Sequence, residues 1–296
     1  MSDQATRLRD MVQNKTNSIN SDSITYNSNN PFKIITVTSG KGGVGKSNFT
    51  ANLAMAFKHH GKSSLILDAD FGLSNIDLIL GQRPKYNLAH LVQDKLSMKE
   101  IITYTPYDIP FISGGTGVKE MLFLDKFQLE RIALELSGLS ELTDILLIDT
   151  GAGINDTVIK FSEMADDVCL IITPDPSSIT DAYALLKTFT KDFKINPRFT
   201  VVLNRVDSEE EAQIVYKKIA TAAESFLKIK VGYGGYIPFD TQLVKAVKQQ
   251  QPIFYANKFA PSSIEYNNVA CKLLNITSSE ARKESLVNKL KRILVK

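Results

Sequence analysis

The sequence predicts an α/β fold, a mostly parallel β-sheet flanked by helices, and three observations carry that prediction. Apolar runs of strand length, "KIITVTS", "SSLILD", "DILLID", "VCLIIT" and "FTVVLN", alternate with helical patterns from residue 32 onward. Near-continuous Ile, Leu and Val in those runs means burial on both faces, the condition of a parallel sheet covered by helices. The runs also end on chemistry that such a sheet gathers at one edge: a glycine-rich stretch after the first, aspartates after the second and third. With 296 residues, 43% hydrophobic and 23% charged, the chain can bury a sizeable core.

Taken in order, residues 1–13 are expected to form a short helix, with Ser2 able to cap the first turn and Ala5, Leu8 and Val12 sharing a face. In residues 14–31, ten of eighteen are Asn or Ser. Such a segment buries too little apolar surface to offset its ordering entropy, so it reads as a flexible linker. Residues 32–276 hold the alternating strands and helices as a single domain. Within it, Cys169 and Cys271 read as reduced core residues, and they supply no CxxC cluster of the kind an iron–sulfur carrier needs.

Residues 282–296 carry six basic residues against one acid, while the rest of the chain has 29 basic and 31 acidic residues, a balance of −2. Basicity belongs to the tail, which argues against a body that coats nucleic acid. Wound at 100° per residue, Leu286, Val287, Leu290, Ile293 and Leu294 fall within an arc of roughly 120°, with Lys289, Lys291, Arg292 and Lys296 outside it and Val295 the exception. Twelve residues rise about 18 Å, too short to cross a bilayer and long enough to lie in its interface. Anionic lipid is the expected partner, each basic residue contributing about 1 kcal/mol. The competing reading is an amphipathic helix docked on its own domain. No apolar run approaches the roughly 20 residues of a membrane span, and "MSDQATRLRD" lacks a signal-peptide stretch. The expected location is the cytoplasm, reversibly at the inner face of the cell membrane.

"KIITVTS", "GKGGVGKS" and "NFTANLAMAF" give strand, glycine loop and helix in the order a phosphate-binding loop requires. Gly40, Gly42, Gly43 and Gly45, with Val44 among them, let backbone N–H groups close around phosphate oxygens, and the helix opening at Lys46, Ser47 and Asn48 adds its dipole. Lys46 then reaches the β- and γ-phosphates and Ser47 places its hydroxyl on Mg²⁺. The domain is thereby expected to be a P-loop NTPase. Asp68 and Asp70 lie just past one strand and Asp149 ends another, so all three converge on the loop. Asp149 suits the metal side, through a water. Lys41 is left over, because the loop pattern is complete without it.

Together "KGGVGKS", "DADFGLSNID" and "DTGAG" resemble the deviant Walker A ATPases of the MinD/ParA class, over nearly all of residues 32–276. The resemblance implies a slow, Mg²⁺-dependent ATP hydrolase that forms a homodimer with ATP. It implies that Lys41 reaches across the dimer to phosphates held by the other subunit, where a second cation offsets the charge that builds up in the transition state. It further implies that Asp70 orients the attacking water, that Asn75 is a neighbouring switch residue and that Asp68 supports the metal's outer shell. Asn204 would bind adenine, the Pro238 backbone would pack against the base, and Asp175 would fall in the segment facing the partner subunit.

The N-terminal "DQATRLR", residues 3–9, is similar to the DQAxxLR motif that opens members of the FlhG (YlxH) family, and "DTGAG" is similar to that family too. What this implies is a regulator of flagellar number and placement, whose N-terminal segment, Gln4 above all, stimulates the GTPase FlhF, with flagellar C-ring proteins as further partners. Two other readings stand beside it. A MinD-type division-site regulator leaves the N-terminal motif unexplained, and a ParA-type DNA-segregation ATPase, which would coat DNA through surface lysines, is argued against by the −2 body and left with the basic tail as its phosphate contact.

Overall fold

A computed structural model describes residues 32–276 except 72, 73, 94 and 116–125. Among these, seven parallel strands form one sheet: β1 (Lys33–Ser39), β2 (Ser64–Ala69), β3 (Phe111–Ile112), β4 (Ile145–Ala152), β5 (Asp167–Ile172), β6 (Arg198–Val206) and β7 (Gly232–Pro238). Their order is β3-β2-β4-β1-β5-β6-β7. The chain builds outward from β1 to one side, returns to insert β4 beside it, and then builds to the other side. Its direction reverses at β1, whose carboxyl end is where such a sheet leaves a crevice for ligands.

Alternation along each strand divides the core by face. Ile35, Val37, Ile66, Leu147, Cys169, Ile171 and Val202 pack on one side with α1 (Lys46–His59) and α10 (Pro261–Leu273). The opposite side receives Leu65, Leu67, Leu146 and Ile148 under α4 (Lys126–Ser137) and α5 (Asp156–Glu163). It continues with Leu170, Ile172, Val201 and Leu203 under α6 (Pro176–Lys187) and α7 (Glu209–Ala222). Phe49, Leu53 and Phe57 of α1 are fully buried, each contributing about 1.5–3 kcal/mol, so the helix that follows the glycine loop is also a pillar of the core. Shorter helices α2 (Ile76–Ile79), α3 (Leu88–Val92), α8 (Thr241–Lys248) and α9 (Ile253–Ala256) complete the chain order between these elements.

The five strands expected from sequence correspond to β1, β2, β4, β5 and β6. Both edge strands go beyond that expectation. β3 has only two residues, and β7, "GYGGYIP", carries three glycines that weaken any strand signal. Cys169 and Cys271 are buried and unlinked, as expected of reduced core residues. No helix of the described residues is long and apolar enough to cross a membrane. The segments expected at 1–13, 14–31 and 282–296, with Gln4 and the stripe of Leu286, Lys289, Leu290, Arg292, Ile293 and Leu294, lie outside the described residues.

Candidate functional site

At the carboxyl ends of β1, β2, β4 and β6 a cleft of about 700 Å³ opens, within the range of small-ligand sites. Its wall includes Gly42, Gly43, Gly45, Lys46, Ser47 and Asn48 from the loop and α1, Asp70 and Asn75 after β2, Asn204 at the end of β6 and Pro238 at the end of β7. Ten of the residues that sequence reasoning selected therefore share one cavity.

The loop's shape depends on two glycines. A Cβ on Gly40 would lie 2.3 Å from the Asp181 carbonyl carbon, so only glycine lets α6 approach this closely. Gly45 has φ 96° and precedes α1 without a side-chain cap, and a Cβ there would meet the Asn204 amide nitrogen at 2.5 Å. The first N–H groups of α1 thus face the cleft without a side-chain acceptor, a ready anion site. Asn204 holds the loop in place: its Nδ2 donates to the Val44 carbonyl at 2.6 Å and its Oδ1 accepts from the Arg205 N–H at 3.0 Å.

Lys46 is only 8% exposed, and its Nζ donates to the Ser39 hydroxyl at 3.1 Å, which in turn donates to the Lys41 carbonyl at 2.6 Å. Burial pushes the Lys46 ammonium below its ordinary value, while the charges of Asp149 and Asp70 pull it back. A cation held with so few ligands will gain from a phosphate.

Asp149 has the same parity in β4 as Leu147, so its side chain lies on the α1 face. There Thr50 Oγ1 contacts Asp149 Oδ1 at 3.1 Å, and the Ser47 hydroxyl hydrogen-bonds the same carboxylate. The other oxygen, Oδ2, is buried with no hydrogen-bond partner. An orphaned carboxylate oxygen beside a serine hydroxyl at the phosphate end of the cleft fits a Mg²⁺ ion, which binds through one or two protein oxygens, phosphate and water. Among the described residues no cluster of three His, Cys, Asp or Glu side chains is placed to hold a metal by itself.

Asp68, also fully buried, spends both oxygens on its own loop. Oδ2 accepts from the Ser74 hydroxyl at 2.6 Å and from the N–H groups of Asn75 and Ile76 at 3.0 and 3.1 Å, and Oδ1 accepts from the Asp70 N–H at 3.2 Å. Burial pushes its carboxyl up to about 6 against the pull of those four bonds. Its part in any metal site is thus indirect: it shapes the turn that carries Asp70 and Asn75 to the cleft. Asp70 reaches over toward β4, where its Oδ1 would be 3.4 Å from a Cβ on Gly151.

Lys41 and Asp175 meet across 134 residues of sequence. Lys41 Nζ lies 3.1 Å from Asp175 Oδ1 and donates to the Ser177 hydroxyl at 2.7 Å. Asp175 caps α6 through the Ser178 N–H at 3.0 Å. The Ser177 and Thr173 hydroxyls, that N–H and the Lys41 ammonium hold its carboxyl far below the usual carboxylate range. The second lysine is therefore parked at the rim of the site on the start of a helix.

Sequence reading missed Ser39, Thr50, Phe239, Asp240, Leu243, Val244, Val247 and Tyr266. The last six surround the far end of the cleft, where Asp240 caps α8 through the Gln242 N–H and binds Ser262 of α10, setting the position of Phe239. Tyr266 donates to Asn48 Oδ1 at 3.3 Å. Of these, only Thr50 carried a legible signal, one helical turn after Lys46 on the same face.

The empty protein is expected to lose stability as pH rises from 5.5 to 8. Burial, then the charge of Asp68, push the Asp149 carboxyl up to about 7. Between the unfolded value near 3.8 and that value, the native state binds the extra proton, so stability falls with rising pH across the window. The loss over this range is on the order of 1–2 kcal/mol. Thermal melts in that range read it, and saturating Mg²⁺ with nucleotide should flatten the dependence. A melting temperature that climbs with pH in the empty protein would contradict this account of Asp149.

A family model described as the CobQ/CobB/MinD/ParA nucleotide binding domain matches residues 35–253. The chain is 35% identical to the antiactivator FleN of Pseudomonas aeruginosa, over 82% of this chain and 86% of that protein. It is 30% identical to the flagellum site-determining protein YlxH of Helicobacter pylori over 99% of both chains. Among solved structures, a chain of the MinC:MinD cell division protein complex of Aquifex aeolicus is similar with a TM-score of 0.67 and 27% identity, over 83% of this chain and 96% of that one.

Proposed function

The chain belongs to the CobQ/CobB/MinD/ParA family of nucleotide-binding domains and is an ATPase of the MinD/ParA type homologous to FleN and YlxH, and from that premise we propose that it is an ATP-driven switch controlling flagellar number and placement. The observation that carries the switch is Lys41. The cleft already holds a phosphate lysine in Lys46, and the second lysine waits outside it, on Asp175 and Ser177. In this reading α1, the glycine loop and Lys46 bind the phosphate chain of ATP, and Asn204 and Pro238 border the base. Ser47 and Asp149 hold Mg²⁺, which supplies charge neutralisation at the phosphates. Asp70 orients the attacking water. Lys41 leaves Asp175 and pairs with phosphates bound by a second copy, so a homodimer forms only around ATP.

The N-terminal segment is the output of the switch. Ala5, Leu8 and Val12 dock on FlhF, and the Gln4 amide, which both donates and accepts, orients that GTPase's catalytic water without adding charge. Residues 282–296 bring the ATP dimer to anionic lipid, and C-ring proteins are the further partners. A synthetic peptide of residues 1–15 should accelerate GTP hydrolysis by FlhF, and its Gln4→Ala version should bind yet accelerate at least tenfold less. Unchanged hydrolysis with the unmodified peptide removes the activator role and leaves a MinD-type division regulator as the better reading.

A further inference from the structure

At the end of the molecule opposite the cleft, where the strands begin, the last two crossover helices finish in the same uncommon way. α6 runs into a π-helical turn, Thr188–Asp192, and α7 into another, Ala223–Leu227. Each is followed by a lysine in left-handed backbone, Lys194 with φ 56° and Lys228 with φ 63°. Glycine is the residue that takes this conformation past a helix end without strain, and lysine takes it at a cost to stability. Two lysines in left-handed backbone just past the ends of these two helices direct attention to their side chains, both of which are exposed. Phe193 and Phe226 project beside them, 49% and 71% exposed, and Lys191 and Lys230 are exposed as well. Asp192 and Glu224 are the acids interspersed there, leaving a local balance of +2. α6, which leads into the first turn, also packs against the second.

The described chain ends at the same pole. The carbonyl of Leu273, the last residue of α10, accepts from Lys33 Nζ at the head of β1, at 2.7 Å. Lys33 pairs with Asp167 at the head of β5, at 2.7 Å, and Asp167 binds Arg198 at the head of β6, its Oδ2 accepting from Nη2 at 2.7 Å. This relay links the exit of the C-terminal segment to the strand that follows Phe193.

We propose that Phe193, Phe226, Lys194 and Lys228, with Lys191 and Lys230 at their margin, are a lipid-facing surface of the folded domain that seats on an anionic bilayer beside the C-terminal segment. The inference rests on the reading of residues 282–296 as lipid-binding. Lysines draw the pole to anionic headgroups over about a Debye length, and phenyl rings enter the apolar boundary beneath them. Duplex DNA would use the lysines and leave two exposed phenylalanines without a role. One short helix is a marginal anchor, and a second contact on the same rigid body raises its effective concentration at the surface.

The chain contains no tryptophan, so Phe226→Trp places a single indole reporter at the pole of the otherwise intact protein. With ATP, Mg²⁺ and vesicles of phosphatidylglycerol and phosphatidylcholine, its emission should shift to the blue and be quenched by brominated lipid. The double variant Lys194→Gly, Lys228→Gly should bind these vesicles about tenfold more weakly, with a melting temperature no lower than the parent's, because glycine relieves the left-handed strain. Vesicle flotation with an unmoved indole overturns the pole contact and leaves the C-terminal reading intact. An indole response that survives Leu290→Glu with Ile293→Glu supports the pole contact and removes the tail from the account. No flotation of the parent under any nucleotide overturns both, and a response to duplex DNA with none to vesicles overturns the lipid assignment.

Discussion

With ATP and Mg²⁺ present, the Lys41→Ala protein is expected to elute from a sizing column as a monomer where the parent elutes as a dimer. Lys46, Ser47 and Asp149 are untouched by the change, so nucleotide binding to the monomer should persist. Whether Lys41 can leave its present partners is a question of magnitude. Its pair with Asp175 is half exposed on both sides, and such pairs contribute about 1 kcal/mol or less. A charge-assisted hydrogen bond to a phosphate in a closed interface is worth about 1.5–3 kcal/mol. On these magnitudes the phosphate is expected to win, and under the proposed function the ion pair is a rest position that suppresses association without ATP. Asp175→Asn preserves the cap of α6, since asparagine caps as well as aspartate, and removes the charge. That protein should dimerise at lower ATP concentration. If Lys41→Ala dimerises like the parent, Lys41 is not a cross-subunit cation.

Asp70→Ala should slow ATP hydrolysis by about 10²-fold or more, close to 2.7 kcal/mol of barrier, while the ATP dimer persists. Asp70 lines the phosphate end of the cleft and attracts Lys46 electrostatically. Removing it therefore frees Lys46 of a competing carboxylate, and nucleotide affinity should hold or rise. The Asp68 bonds to Ser74, Asn75 and Ile76 do not involve the Asp70 side chain, so the turn keeps its shape. Phosphate release and column elution measured on the same sample separate the two effects. A rate within a few-fold of the parent would remove Asp70 from the hydrolytic step.

The glycine loop at the cleft was legible because its parts are local. A glycine loop between a strand and a helix is a contiguous stretch whose geometry follows from backbone freedom and helix polarity, so Gly40 to Asn48 could be placed without knowing the rest of the fold. Asp68, Asp70 and Asp149 were legible one step later, since a parallel sheet brings strand ends together whatever the strand order. The wall formed by Phe239, Leu243, Val244, Val247 and Tyr266 was not, because each of those residues reads locally as ordinary core or helix surface.

By itself the sequence determined the fold class, the phosphate loop, the aspartates at its edge and the presence of a lysine in excess of the loop's needs. Each of these follows from residue type and short spacing, which act within one element. Only the tertiary structure decided what those residues do to one another. It brought Asp175 and Ser177 onto Lys41 across more than 130 residues, and Asn204 onto Val44 across 160. It turned Asp68 inward onto its own loop and left Asp149 with a buried oxygen that has no hydrogen-bond partner. Such contacts depend on which strands are neighbours, and strand order arises from packing the whole chain around one core, a long-range outcome that no local pattern encodes.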